Sequence, residues 1–189
     1  MRIIAGSARG RTLCAPKGMD TRPTQDYVRE SLFNILQRET PEARVLDLFA
    51  GSGALGLEAL SRGAEFAAFA DISPTAIACI TKNAEALGFT KSVEIVKADW
   101  QAALDRLARD HRTFSLVFLD PPYKMTEIEK ICDHLAENTL LDQGALLVIE
   151  RRRGDPPHLK RPYKQRDVRR YGDTEIFFFD YSGKEDGNA

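Results

Sequence analysis

Val45-Leu46-Asp47-Leu48-Phe49-Ala50-Gly51-Ser52-Gly53-Ala54-Leu55-Gly56 passes from an apolar strand through a glycine turn into the start of a helix. Gly51, Gly53 and Gly56 match GxGxxG in the strand-to-helix setting that gives the pattern meaning. Glycines there permit a tight turn and close approach of a ligand to the backbone, and a helix N-terminus favours negative charge. A purely structural βα turn is the competing reading. Asp71 ends the next apolar run, 20 residues after Gly51, where a carboxylate can hold both hydroxyls of a ribose. The two features together point to a nucleoside-containing cofactor.

Outward from this stretch the chain alternates short apolar runs with helical ones, the signature of an α/β fold. Strands are expected at 44–50, 65–71, 93–97, 114–119 and 144–150, each nearly continuous in apolar residues, as parallel strands covered on both faces are. Helices are expected at 54–62, 74–87, 100–109 and 125–137. In the second of these Ile77, Ile80, Thr81, Ala84 and Leu87 recur at helical spacing, with Ser73-Pro74 at the start and Gly88 after the end. Beyond residue 150 the pattern changes: 163–170 and 174–181 read as an antiparallel hairpin around Tyr171-Gly172-Asp173. Residues 24–37 read as an amphipathic helix with Tyr27, Val28, Ser31, Leu32, Ile35 and Leu36 on one stripe. Residues 2–16 are expected to form a small hairpin or arm, and 182–189 a frayed tail.

The 189 residues, 43% apolar, fit one domain of ordinary size. The longest apolar runs, 66–70 and 145–149, fall far short of the roughly 18 residues a membrane span needs, and residues 2–11 do not resemble a secretory signal. Cys14, Cys79 and Cys132 are odd in number and contain no CxxC, which favours a reduced, cytoplasmic setting with cysteines serving as small hydrophobes. The net charge of −1 conceals a pattern: +3 over residues 1–40, −7 over 41–150, +7 over 151–170 and −4 over 171–189. Two basic segments around an acidic centre can carry positive charge to both rims of one face and bind a polyanion despite an ordinary pI. Solvation of a surface is the alternative.

Two features favour S-adenosylmethionine over a dinucleotide. Asp47, inside the strand just before the turn, would repel a pyrophosphate but suit an ammonium group. Asp99, at the end of the third strand with Trp100 beside it, is placed to accept from an adenine amine, though it reads equally as the N-cap of the helix that follows. Leu119-Asp120-Pro121-Pro122-Tyr123 is the sharpest signal. It lies at the C-terminal edge of the fourth strand, where open parallel sheets bind ligands. Two prolines hold the Asp120 carboxylate and the Pro121 carbonyl toward one pocket, with Tyr123 as a flat wall. Two acceptors and an aromatic face are what a planar amine on a heterocycle needs if its lone pair is to be aimed at an electrophile.

LDLFAGSG at 46–53 followed by DPPY at 120–123 resembles the class I S-adenosylmethionine-dependent methyltransferases that modify exocyclic amines. Arg2-Ile3-Ile4-Ala5-Gly6 with Arg9-Gly10-Arg11, Thr21-Arg22-Pro23-Thr24 and Arg29-Glu30-Ser31-Leu32-Phe33-Asn34-Ile35-Leu36 are similar to the bacterial RsmD-type enzymes, which methylate N2 of a guanine in 16S ribosomal RNA. This resemblance covers almost the whole chain. It implies a Rossmann-like α/β fold: a seven-stranded, mostly parallel sheet with helices on both faces, a C-terminal antiparallel hairpin and a small N-terminal extension. Residues 1–40 would be an RNA- and cofactor-side extension, 41–182 the methyltransferase domain and 183–189 a tail. Asp47, Phe49, Ala50, Gly51, Gly53, Asp71, Ile72, Asp99 and Trp100 would hold S-adenosyl-L-methionine. Asp120, Pro121, Pro122 and Tyr123 would hold the guanine amine. Arg22, Thr24 and Arg29 would close the site, touching either the methionine carboxylate or RNA phosphate, and Arg9, Arg11, Lys17, Lys124 and Arg151 to Arg153 would hold the RNA backbone. The implied partner is 16S rRNA within a small ribosomal subunit, and the implied state is a monomer.

An amino-methyltransferase acting on another RNA or on DNA, at adenine N6 or cytosine N4, shares DPPY, but this chain has little room for a target-recognition region. A nicotinamide-dependent oxidoreductase would share the glycine turn and leave DPPY without a role. A catalytically silent nucleic-acid-binding module would not need Asp120 or Gly53. His111, His134 and His158 are scattered and indicate neither a metal site nor a His-based triad.

Overall fold

The computed structural model describes residues 1–15, 23–122 and 124–183. Helix α1 (Pro23–Ile35) precedes a run of βα units: β1 (Arg44–Leu48), α2 (Ala54–Ser61), β2 (Phe66–Asp71), α3 (Pro74–Leu87), β3 (Val93–Lys97), α4 (Trp100–Arg109), β4 (Phe114–Leu119), α5 (Ile128–Glu137) and β5 (Leu141–Arg152). The hairpin β6 (Tyr163–Tyr171) and β7 (Thr174–Tyr181) completes the chain. The seven strands form one sheet in the order β3-β2-β1-β4-β5-β7-β6. The first five pair in parallel, and β7 inserts antiparallel between β5 and β6. Strand order reverses between β1 and β4, so a crevice opens at their C-terminal ends. No helix among the described residues is long and apolar enough to cross a membrane.

The period-two alternation of the strands divides the core into two layers. Val45, Leu116, Phe118, Leu146, Val148, Ile176 and Phe178 face α1, α2, α3 and the N-terminal arm. Leu46, Leu48, Val117, Leu119, Leu147, Ile149 and Phe177 face α4 and α5. Gly56 shows how closely the first layer packs: a Cβ there would lie 2.4 Å from the ring of Phe69 on β2.

Several boundaries differ from the sequence reading, each for a physical reason. β1 stops at Leu48 rather than residue 50 because Phe49 turns out of the sheet at φ 72°. α5 starts at Ile128, not 125, because the Met125 N–H bonds the Pro122 carbonyl in the loop that leaves β4. β5 runs to Arg152, extended by pairing of Arg151 and Arg152 with β7. The expected stripe on α1 is also corrected. Arg29, Leu32, Phe33 and Leu36 are buried, whereas Tyr27 is 65% and Ile35 36% exposed. Both sets satisfy helical spacing, but only the observed one seats Phe33 against Phe118, with ring centroids 5.8 Å apart.

The N-terminal arm is a short hairpin, with Arg2 bridging Thr12 and Gly10 N–H bonded to the Ile3 carbonyl at 2.9 Å. It lies against α2 and α3. Glu58, fully buried on α2, accepts from the backbone N–H groups of Ile4 at 2.8 Å and Ala5 at 3.0 Å. Gly6 passes so close to α2 that a Cβ would fall 1.7 Å from the Ser61 carbonyl oxygen. Asn83 on α3 accepts from Cys14 N–H at 2.7 Å and donates to the carbonyls of Cys14 and Ser52, both at 3.0 Å, linking the arm to the glycine turn. The thiols of Cys14 and Cys79 meet at 3.0 Å, a proximity their spacing in the chain does not reveal.

Candidate cofactor and base-binding site

Two cavities open at the switch point and share Phe49, Gly51 and Asp120. The larger, of about 440 Å³, lies over the ends of β1, β2, β3 and β4. Its floor is the glycine turn, held by Asp71. One Asp71 oxygen accepts from Gly51 N–H and the other from Ser73 N–H, each at 2.8 Å. A carboxylate oxygen has two acceptor sites, so both keep capacity toward the cavity. Ile72 is 69% exposed and, with Trp100, gives that cavity apolar walls. Asp99 is the N-cap of α4, accepting from Ala102 N–H at 2.9 Å, and also lines the cavity. The two readings of Asp99 are therefore compatible. Trp100 is braced edge-on by His134, 5.8 Å away, whose Nε2 lies 2.7 Å from Asp105. His134, unpaired to the eye in the sequence, thus has a carboxylate partner contributed by α4.

The smaller cavity, of about 300 Å³, lies between α1 and the ends of β1, β4 and β5. Asp47, Asp120 and Glu150 all line it, since each occupies the alternation that faces α1. Asp47 is buried and accepts from Gly56 N–H at 2.9 Å, fixing the first turn of α2. Burial pushes its pKa up to about 7, the Gly56 bond opposes, and the charges of Asp120 and Asp71 add to the rise. A buried carboxyl with no cation beside it is one that an ammonium group could pair with. Asp120 is exposed as a residue and lines both cavities. Desolvation pushes the carboxyls of Asp120 and Glu150 up to about 6 and about 8, and the Asp120 charge adds to the rise at Glu150.

The residues present fit S-adenosylmethionine: Asp47 could meet its ammonium, Asp71 its ribose, Asp99 the adenine amine, and Ile72 with Trp100 the faces of the adenine. Phe49, in a left-handed conformation rare for an aromatic residue, turns the chain so that Ala50 and Gly51 pass between the cavities. Gly53, at φ 76°, caps α2. Asp120, Pro121 and Pro122 line the larger cavity together; Tyr123 lies outside the described residues, as do Lys17 and Arg22. Thr24 falls in the first turn of α1, and its side chain also lies outside what is described.

Three of the basic residues that the resemblance singled out make contacts within the protein. Arg29 is buried; its Nη2 bonds the Arg2 carbonyl and, at 3.0 Å, Asp26, while its Nε lies 3.8 Å from Glu58. It lines the smaller cavity, and its buried Nε makes no hydrogen bond. Arg151 is also buried, bonding the Met125 carbonyl at 2.9 Å and pairing with Asp155. Instead of reaching outward it braces the loop that follows Asp120. Arg11, though exposed, donates to the Ala86 carbonyl at 2.6 Å. Arg9, Lys124, Arg152 and Arg153 are exposed. Glu150 and Arg151 were passed over or misplaced in the sequence reading. The signal for Glu150 was its position two residues beyond Val148, on the same face as Asp120.

A family model described as Conserved hypothetical protein 95 matches residues 1–180. The chain is 41% identical over 150 residues to "Putative rRNA methyltransferase YlbH" of Bacillus subtilis, covering 79% of this chain and 82% of that one. It is 38% identical over 159 residues to "Ribosomal RNA small subunit methyltransferase D" of Haemophilus influenzae, covering 82% and 81%. The solved structure "Putative methyltransferase yhhF from Escherichia coli" superposes with a TM-score of 0.84 at 33% identity, over 97% of this chain and 99% of that one. With its glycine turn, its DPPY corner and its β5-β7-β6 edge, the chain belongs to this family, the RsmD-type methyltransferases of the class I S-adenosylmethionine-dependent fold.

Proposed function

We propose that this protein transfers a methyl group from S-adenosyl-L-methionine to the exocyclic N2 amine of a guanine in 16S ribosomal RNA. The observation that carries the reading is Asp120 standing at the end of β4 where the two cavities meet, so that one carboxylate faces both a nucleoside site and a second compartment. The relatives' names, rRNA methyltransferase and ribosomal RNA small subunit methyltransferase D, support the choice of substrate. The cofactor supplies an electrophilic methyl group on a sulfonium. Asp47, Asp71 and Asp99 orient it through its ammonium, ribose and adenine. Asp120 and the Pro121 carbonyl accept the two N–H groups of the amine and leave the nitrogen lone pair directed at the methyl carbon. The proton that the nitrogen sheds passes to the Asp120 carboxylate. Arg151, through the Met125 carbonyl, keeps the loop that carries these acceptors in place.

A guanine must leave its stack to reach such a pocket. In this reading residues 1–40 hold the RNA beside the catalytic domain of residues 41–182, and the monomer acts on an assembled or assembling small subunit. Replacing Arg9 and Arg11 by Ala is expected to weaken RNA binding and to lower the slope of log affinity against log salt by up to about 2, with cofactor affinity unchanged by calorimetry. An unaltered slope takes the arm out of the interface.

The deciding experiment is transfer from radiolabelled S-adenosylmethionine to small subunits from cells lacking this protein, followed by nucleoside analysis. Label in N2-methylguanosine is the expected result. Label in N6-methyladenosine or N4-methylcytidine would move the target to another amine while keeping the Asp120 chemistry.

A further inference from the structure

Glu150 ends the apolar core of β5 beside the catalytic corner. β4 and β5 pair in parallel through Leu119 and Ile149, so Asp120 and Glu150 are the next neighbours across the two strands, about 5 Å apart at the backbone. Both face the smaller cavity. Other buried or half-buried acids among the described residues have partners: Glu58 two backbone N–H groups and Arg62, Asp47 the Gly56 N–H, Glu94 Arg112, and Glu175 Arg170. Glu150 is half-buried and takes no hydrogen bond or ion pair among the described residues. Burial and the neighbouring Asp120 charge both act against its ionisation. An unpartnered, partly desolvated carboxyl beside a second carboxyl costs stability, and such positions are characteristic of ligand sites.

The ligand chemistry follows from the geometry and rests on the guanine-N2 reading above. With the 2-amine held by Asp120 and Pro121, the next group along the Watson–Crick edge of guanine is N1–H, a donor. In 2,6-diaminopurine the same 2-amine stands beside an N1 that only accepts. Glu150 is one strand beyond Asp120, on the side away from β1 and the Asp47 ammonium site. We infer that Glu150 accepts the N1–H of the target guanine and makes the enzyme select guanine over bases whose N1 is an acceptor. Guanine binding then stabilises the ionised form of Glu150, which the empty fold disfavours.

Glu150→Ala and Glu150→Gln test this on small subunits from cells lacking the protein, and on subunits reconstituted with 2,6-diaminopurine at the target position. Glu150→Ala is expected to lower kcat/KM for N2-methylguanosine formation about a hundredfold with cofactor affinity unchanged. Glu150→Gln keeps a carbonyl acceptor for N1–H and should recover most of that loss. Because its amide can also turn to donate, it should narrow the preference for guanine over 2,6-diaminopurine at least about tenfold. Full activity in Glu150→Ala, a parallel loss of cofactor affinity, or an unchanged preference in Glu150→Gln would each overturn the assignment while leaving the guanine-N2 function standing. Absence of N2-methylguanosine with the unaltered protein would instead overturn the function, and this role for Glu150 with it.

Discussion

Asp120→Ala is expected to abolish methyl transfer while leaving cofactor affinity within about tenfold. Asp120 borders both cavities, but the cofactor contacts assigned above fall on Asp47, Asp71 and Asp99, none of which depends on it for position. Asp47 is fixed through Gly56, Asp71 through Gly51 and Ser73, and Asp99 through Ala102. On the proposed reading, removing the carboxylate takes away one of two acceptors that orient the amine and the group that receives its proton. Positioned acceptors and bases of this kind each contribute on the order of 10²–10⁴ in rate. The pH dependence has a defined sign. Asp120 must be ionised to accept, and so must Glu150 in the role assigned above; burial raises their carboxyls to about 6 and about 8, so kcat/KM is expected to fall as pH drops through about 8 and again through about 6. Single-turnover transfer and calorimetric titration of the variant check both parts. Near-normal turnover in Asp120→Ala would remove it from the chemistry.

Glu58→Ala should produce the largest loss of stability. Glu58 is fully buried and receives Ile4 N–H, Ala5 N–H and the Arg62 Nε at 2.7 Å, with Arg29 Nε at 3.8 Å. Arg62 also lies over the Phe33 ring, 5.0 Å from its centroid, so one carboxylate joins the arm, α1 and α2. Without it the Arg62 guanidinium loses its buried counter-charge and Arg29 keeps only Asp26 among the described residues, a change that typically costs about 3–5 kcal/mol. For a domain of this size that corresponds to a fall in Tm of about 10 °C. The backbone N–H groups of Ile4 and Ala5 lose their acceptor too, so limited proteolysis should cut first within the N-terminal arm. A Tm within about 2 °C of the unaltered protein, with an uncut arm, would show that the cluster does not hold the arm in place.

The order of βα units, the glycine turn, Asp71 at the end of β2 and the Asp-Pro-Pro corner were legible in the sequence. Strand and helix periods, caps and turn chemistry are properties of adjacent residues, so Ser73-Pro74 and Gly88 bound α3 where the sequence placed them. The resemblance over the N-terminal words supplied the family and the seven-stranded sheet. What the sequence left open depends on which distant elements become neighbours. Two faces of α1 satisfy the same spacing, and the choice falls to Arg29 and Phe33 because Glu58 and Phe118 wait across the interface. Arg151 reads as surface charge until β7 covers β5 and the loop after Asp120 brings the Met125 carbonyl within reach. Glu150 is an ordinary strand end until the pairing of Leu119 with Ile149 sets it beside Asp120. Local pattern therefore determined the elements and the chemistry at their ends, and tertiary packing decided which charges face the site. Hydrogen bonds and ion pairs act over a few ångströms, whereas the residues they join here lie up to 140 positions apart in the chain, as Ser31 and Tyr171 do.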